Sequence, residues 1–477
     1  MTPFDRRELL SWASRGIGAT ALLALLSRDR LIRAESIASE AKDPPPHCPP
    51  KAKRAIHICL CGGFSQIDTF DYKPELAKRH GQPLGGNEKP DVFFGQVGLL
   101  RKNDFAFKQH GESGLWISEL FPQLAKLADE LTVVRSMVAD SSSHTPATMQ
   151  ENSGFRLNGF PTLGTWLSYG LGCATDELPA FVVLPDPRGL PAGGTNNWTN
   201  GFLPAQHQGV MFNPTGQAIR DLAPARALSI DAEAASRTLH QRLNALHQEH
   251  VGASSELAAR MRAYELAAKM QLAVPRVTDL ASETSETERL YGLDRERTAP
   301  FGRNCLLARR LIEQGVRFVQ VFSGGAFGAP RINWDGHEDM QANHAQEAAL
   351  IDQPVAGLLQ DLRQRGLLED TLLLFTTEFG RTPFTQSAAD QVGKGRDHNQ
   401  YGFSVWLAGA GLKPGLAYGA TDDVGWKAIE NRATWPDFHA TVLHLLGIDH
   451  TRLTYYHNGI ERRLTNVHGN ILRGILA

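Results

Sequence analysis

The sequence predicts an α/β protein with a mostly parallel central sheet and helices on both faces. Short apolar runs alternate with Ala- and Leu-rich segments of helical period along the chain. Polar clusters also stand where several of those runs end, and in an open α/β sheet ligand sites gather outside the strand ends.

The elements follow in order. Residues 55–61 form a first buried strand ended by Gly62 and Gly63, and the polar continuation 64–71 falls in its C-terminal loop. Residues 80–115 are Gly-rich, polar and aperiodic, a long excursion. Residues 117–131 carry apolar side chains at helical spacing, and 131–138 form a second strand. That strand ends in Asp140, Ser141, Ser142, Ser143, His144, Thr145 and Pro146, with a helix from Ala147, since Pro suits a helix's first turn. Residues 181–185 are a third strand and 193–198 a loop. Residues 231–272 are charged and Ala/Leu-rich, with Leu239, Leu243 and Leu246 on one stripe. They predict one or two long helices within an excursion of about 231–300. A helix over 302–314 leads into a strand at 317–322. After it come Asn333, Trp334, Asp335, Gly336 and His337, then a strand at 371–375 ending in the run Thr376 to Pro383. Gly395, Arg396, Asp397 and His398 precede a last apolar run at 403–407.

Composition removes several classes of function. A net charge of -2 gives no electrostatic case for nucleic acid or an anionic membrane as partner. Neither GxGxxG nor GxxxxGK[ST] occurs at a strand-to-helix junction, which argues against nucleotide binding by those routes. Five cysteines (Cys48, Cys59, Cys61, Cys173, Cys305) are too few and scattered for a disulfide framework. Cys59 and Cys61 share a strand face and read as buried small hydrophobes. At the N-terminus, Arg6 and Arg7 precede the apolar stretch 16–26, a twin-arginine arrangement that predicts export to the periplasm or another extracytoplasmic space. That stretch falls short of the roughly 18–20 residues a membrane span needs, and no later segment qualifies. The expected organisation is a signal segment at 1–41, a Pro-rich linker at 42–54 and one domain over 55–477.

Asp335, His337, Glu378, Asp397 and His398 are two imidazoles and three carboxylates, with no thiolate among them. Such a set suits a divalent metal: zinc, manganese or calcium. Each has an ordinary structural role open to it as well: Asp335 as a helix cap, Glu378 paired with Arg381, His398 as a hydrogen-bonded core histidine.

The motifs resemble the exported family catalogued as domain of unknown function 1501. The residues that carry the resemblance are the run 62–71, Trp334 to His337, Glu378 to Pro383, and Arg396 to His398. The family in turn resembles a distant branch of the alkaline phosphatase and sulfatase superfamily. Sulfatases carry C-[ST]-P-x-R with a Gly ten residues after the Cys. Here His144, Thr145 and Pro146 are followed by Ser153 and Gly154, which puts His144 in the nucleophile position. The superfamily's T-S-D-[HN]-G resembles Thr376 to Gly380, with Glu378 for its metal-binding Asp; Asp335, His337 and His398 resemble the ligands of the other metal. The departures are Phe379 in a ligand's place, and Gly62 or Gly63 where a first-strand Asp is usual, unless Asp68 reaches back. One metal half-site is therefore complete and the second is damaged.

The resemblance implies an alkaline phosphatase/sulfatase-like fold and an exported metal-dependent hydrolase of phosphate or sulfate esters, on a small-molecule or carbohydrate substrate. One ion, at Asp335, His337 and His398 with help from Glu378, would polarise an ester oxygen and activate water. Arg381 or Arg396 would neutralise the oxyanion. His144 would act as nucleophile, ligand or general base, with Thr145 as a neighbouring hydroxyl. The alternative is a non-catalytic binding or structural protein that has kept the fold and meets a protein partner through the 231–272 helices.

Overall fold

Along β1 (Arg54–Leu60) successive side chains point to opposite faces of the sheet, and both faces are core. Ile56, Ile58 and Leu60 join one hydrophobic cluster, whereas Ala55, Cys59 and the following Cys61 join the other. A strand apolar on both sides needs cover on both sides, the condition of a parallel sheet between two helical layers. The computed structural model describes residues 46–477 except 87–89, 214–215, 221, 223–228, 252–254, 326 and 329. The twin-arginine segment, 1–41, and linker residues 42–45 lie outside the described residues. Within the rest of the linker, the Cys48, Lys51 and Ala52 N–H groups donate to the Gly447 and Leu445 carbonyls.

In chain order, β2 (Phe107–His110) and β3 (Leu115–Ser118) form a hairpin, and β4 (Thr132–Val138) leads to helices α1 (His144–Ser153) and α2 (Leu163–Leu171). β5 (Phe181–Leu184) and β6 (Val210–Met211) precede two long helices, α3 (Ile230–Val251) and α4 (Ser255–Thr278). α5 (Ala299–Glu313) feeds β7 (Phe318–Ser323), and α6 (Met340–Gln364) feeds β8 (Thr371–Thr377). Then come β9 (Gly380–Thr385), β10 (Arg396–Asn399), β11 (Phe403–Gly409) and β12 (Leu416–Tyr418). The small pair β13 (Ala420–Thr421) and β14 (Ala428–Glu430) precedes β15 (Ala433–Thr434) and α7 (Trp435–Leu445).

The main sheet has the order β12-β4-β11-β8-β1-β7-β5-β6, with β15 added to β4. Every pairing in it is parallel except those of β11, which runs against both β4 and β8. α5 and α6 cover one face through Leu306, Leu311, Ile351 and Leu358; α2 and α7 cover the other through Trp166, Leu167, Phe438 and Val442. This is the mostly parallel α/β sheet with helices on both faces that the alternation of apolar runs predicts.

Two local expectations change. Residues 117–131 are not one helix: β3 ends at Ser118, and a kinked 3-10 segment spans Leu124–Glu130. Pro122 lies between them, lacks an N–H and restrains the residue before it, so the apolar spacing is divided between strand and turn. The long helices form as expected, but Leu239, Leu243 and Leu246 of α3 are each more than half exposed, whereas Met270, Ala273, Val274 and Val277 of α4 enter the core. No helix among the described residues is long and apolar enough to cross a membrane.

Candidate metal centre

The parallel strands β1, β4, β7 and β8 deliver their following loops to one end of the sheet. After β1 come Gly62 and Gly63; after β4, His144 on the first turn of α1; after β7, Asp335 and His337; after β8, Glu378. His398 arrives differently, on β10, which pairs with β9 in a separate two-stranded sheet through His398 and Arg381. Gly62 has φ +121°, and a Cβ there would come within 2.6 Å of the Asp335 and Trp334 nitrogens, so only glycine lets these loops close together.

One carboxylate oxygen is the hub. Asp335 Oδ1 lies 2.7 Å from His337 Nε2, 3.3 Å from His144 Nε2, 3.4 Å from His398 Nε2 and 2.7 Å from an Arg381 guanidinium nitrogen. His337 Nε2 and His398 Nε2 are 2.8 Å apart, a separation that accommodates at most one proton between them. Each imidazole is held by its other nitrogen. His144 Nδ1 is 2.7 Å from Glu378 Oε1, His337 Nδ1 is 2.5 Å from Gln386 Oε1, and His398 Nδ1 is 2.5 Å from the Ser142 carbonyl. All three partners are acceptors, so each ring donates through Nδ1 and turns Nε2 toward Asp335. That is how metal-binding histidines are oriented.

The electrostatics agree. Burial raises the Asp335 carboxyl, but the Arg381 guanidinium beside it, with the facing imidazoles, holds it far below the usual carboxylate range. Burial pushes His398 well down, with Arg381 and the other two imidazoles acting in the same direction against Asp335, which favours the neutral ring. Burial also pulls His144 down, but hydrogen bonds to Asp335 on one side and Glu378 on the other lift it above its ordinary value. An anionic oxygen facing three ring nitrogens, almost closed to solvent, fits a divalent cation. The donor set, three nitrogens and one oxygen without sulfur, suits zinc or another borderline ion.

The other expected site residues lie outside this convergence. Glu378 stands behind His144, fixed by the Gly62 N–H at 2.8 Å. Asp397 accepts from the Phe94 and His398 N–H groups, which fastens a loop over the site. Asp68 is fully buried in an ion pair with Arg396 at 3.0 Å. Arg396 spends its other nitrogens on the Thr382, Pro383, Arg101 and Lys102 carbonyls. Arg381 is also fully buried, bonded to the Gly62, Gly63 and Arg396 carbonyls and to Asp335. Thr145 is exposed on α1, beside Gly193.

Several contributors escape sequence reasoning. Arg331 binds the second Asp335 oxygen and also Glu338, with side-chain exposure of 29%. Its position four residues before Asp335 was the available signal. Phe327 stacks on His144, Phe93 on His398, and Phe94 meets His337 edge-on, with centroids 3.9, 4.9 and 4.8 Å away. These phenylalanines come from aperiodic loops and carry no chemical signature.

The fold and this convergence define an α/β protein with a His/Asp metal-type centre at the carboxyl ends of its parallel strands. The chain belongs to the family described as Protein of unknown function (DUF1501), whose model matches residues 52–476. No curated protein matches it. Solved structures that align with it include the lipoteichoic acid synthase LtaP from Listeria monocytogenes, at 11% identity over 83% of this chain and 72% of that one, with a TM-score of 0.36. The PsFucS1 sulfatase from Pseudoalteromonas sp. aligns at 12% identity over 83% of this chain and 68% of that one, with a TM-score of 0.34. A mutant TAB5 alkaline phosphatase with bound Mg aligns at 10% identity over 83% of this chain and 98% of that one, also at 0.34.

Proposed function

We propose that this protein is an exported, metal-dependent hydrolase of phosphate or sulfate esters. The observation that carries the reading is the convergence of three Nδ1-anchored imidazoles on one Asp335 oxygen. Asp335, His337 and His398 hold the ion. Bound there, a divalent metal supplies Lewis acidity to an ester oxygen. His144 faces the same centre, and the Glu378 carboxylate behind it raises its basicity, so it takes the proton of the attacking group or attacks directly. Arg331, partly exposed, would exchange Glu338 for the anionic ester; Arg381 stays in the interior and keeps Asp335 ionised. Export is supported by Arg6 and Arg7 ahead of the apolar stretch 16–26.

The test is elemental analysis of the purified protein together with turnover of aryl phosphate and aryl sulfate esters. About one zinc, manganese or calcium per chain is expected at this centre, lost in Asp335→Ala and His398→Ala. His144→Ala should keep the ion and lose turnover by at least ~100-fold. Turnover that survives Asp335→Ala sinks the assignment.

A second reading has its own support. If His144 is a fourth ligand, the centre is closed, as structural zinc sites are. The exposed Leu239, Leu243 and Leu246 on α3 suit contact with a protein partner. Loss of the ion in His144→Ala, with no ester turned over by the wild type, favours this non-catalytic protein.

A further inference from the structure

Two turns along α1 from His144 lies a second group of ligand-type side chains that the first centre does not use. His57 and Cys59 alternate along β1 and so face the same way, into the cluster covered by α2 and α7. Glu151, two turns after His144 on α1, comes down onto them. One ligand atom from each of His57, Cys59 and Glu151 lies within 4.8 Å of the others, and all three residues are buried to 1% exposure or less. Cys59 Sγ is 3.3 Å from His57 Nε2.

Two features mark this group. Glu151 takes part in no ion pair among the described residues: burial holds its carboxyl well above the usual range, and the Thr376 hydroxyl bonds it. Gln320, paired with His57 across β7 and β1, brings its amide nitrogen to 3.3 Å from Cys59 Sγ and 2.5 Å from Asn152 Oδ1, while its Oε1 has no hydrogen-bond partner, so a half-turn of the amide would put that oxygen at the thiol. An orphaned buried amide oxygen costs roughly 1–3 kcal/mol, and here it belongs to a side chain already touching the thiol.

We propose that His57, Cys59 and Glu151 form a second, structural metal site for zinc or a similar borderline cation, with the Gln320 amide oxygen as fourth ligand after a half-turn of its amide. One sulfur, one imidazole nitrogen and two oxygens make a set that zinc accepts. Binding exchanges one divalent ion for two protons, from the thiol and the carboxylic acid, so the buried site stays neutral overall. It also ties β1, β7 and α1 together directly beneath the first centre.

The site is closed to solvent, so the full chain is produced in cobalt-supplemented, zinc-free medium, with the ion present during folding. A thiolate–cobalt charge-transfer band in the near ultraviolet reports a sulfur ligand, which the first centre lacks. The band is expected in the wild type and in Cys61→Ser. It is also expected in Asp335→Ala, where the first centre is empty, so the two sites fail separately. Cys59→Ser should abolish it and remove about one cobalt per chain, with the far-ultraviolet circular dichroism unchanged. No band in the folded wild type overturns the proposal, as does a band that survives Cys59→Ser or disappears in Asp335→Ala.

Discussion

Each imidazole at the candidate centre is oriented by a different kind of acceptor: a carboxylate, a side-chain amide and a backbone carbonyl. The amide is the simplest to remove, because Gln386 is half-buried and carries no charge. Gln386→Ala frees the His337 ring to turn, and outer partners of this type are worth about 10–100-fold in metal affinity. Zinc competition with a chelator should therefore give a dissociation constant raised by about that factor, with thermal stability within about 0.5 kcal/mol of the wild type. An unchanged constant means that Gln386 does not orient the ring. At this scale the sequence was legible where the chemistry resides in side-chain type, as at Asp335, His337, His398 and His144. The Ser142 carbonyl, Gln386 and Arg331 were not, because an acceptor's value here depends on where the backbone brings it. Arg381 and Arg396 were legible as arginines but not in their partners: both are turned inward, onto carbonyls and buried acids.

Among elements, the centre depends on β10 and the loop after β7 lying against one another. The Arg396 N–H donates to the Gly336 carbonyl, and the Met340 N–H to the Lys394 carbonyl. Gly395 lies between them, and a Cβ there would overlap the His337 carbonyl. Gly395→Ala must push the 335–337 loop off β10 and separate His337 from His398, while the main sheet, which includes neither, stays paired. The expected outcome is bound metal reduced at least ~10-fold with unchanged circular dichroism; full metal content would mean that the loop adapts. The strands of the main sheet were legible because burial on both faces makes them continuous apolar runs. β9 and β10 were not: Arg381, Thr382, Arg396 and Asp397 are buried by pairing with each other's neighbourhoods rather than by being apolar. The hairpin that supplies His398 thus looks like loop in any hydrophobicity pattern.

At the level of the whole molecule, the core beneath the centre contains histidines that fold only in the neutral form. His344 is fully buried against Trp334 and Phe64. Its Nε2 accepts the Ser65 N–H at 3.0 Å, so that nitrogen carries no proton, and Nδ1 donates to Asn343. Burial lowers its pKa to about 3, with Arg381 and Arg396 helping against Asp68 and Asp335. His439, buried where its Nε2 meets the Glu151 carbonyl, is lowered to about 4. The sign follows from linkage. Below about pH 6.5 the unfolded chain protonates these rings while the folded chain does not, so stability is full above that pH and falls as the solution is acidified. Each ring contributes a slope of up to about 1.4 kcal/mol per pH unit between roughly pH 6 and 4. In His344→Gln the Gln oxygen can still accept from Ser65, but nothing at that position titrates. Urea unfolding at several pH values should give a variant whose stability declines less steeply than the wild type's by about one proton. Parallel curves for the two proteins would mean that His344 is protonated equally in the folded and unfolded chains, against the bond it accepts from Ser65.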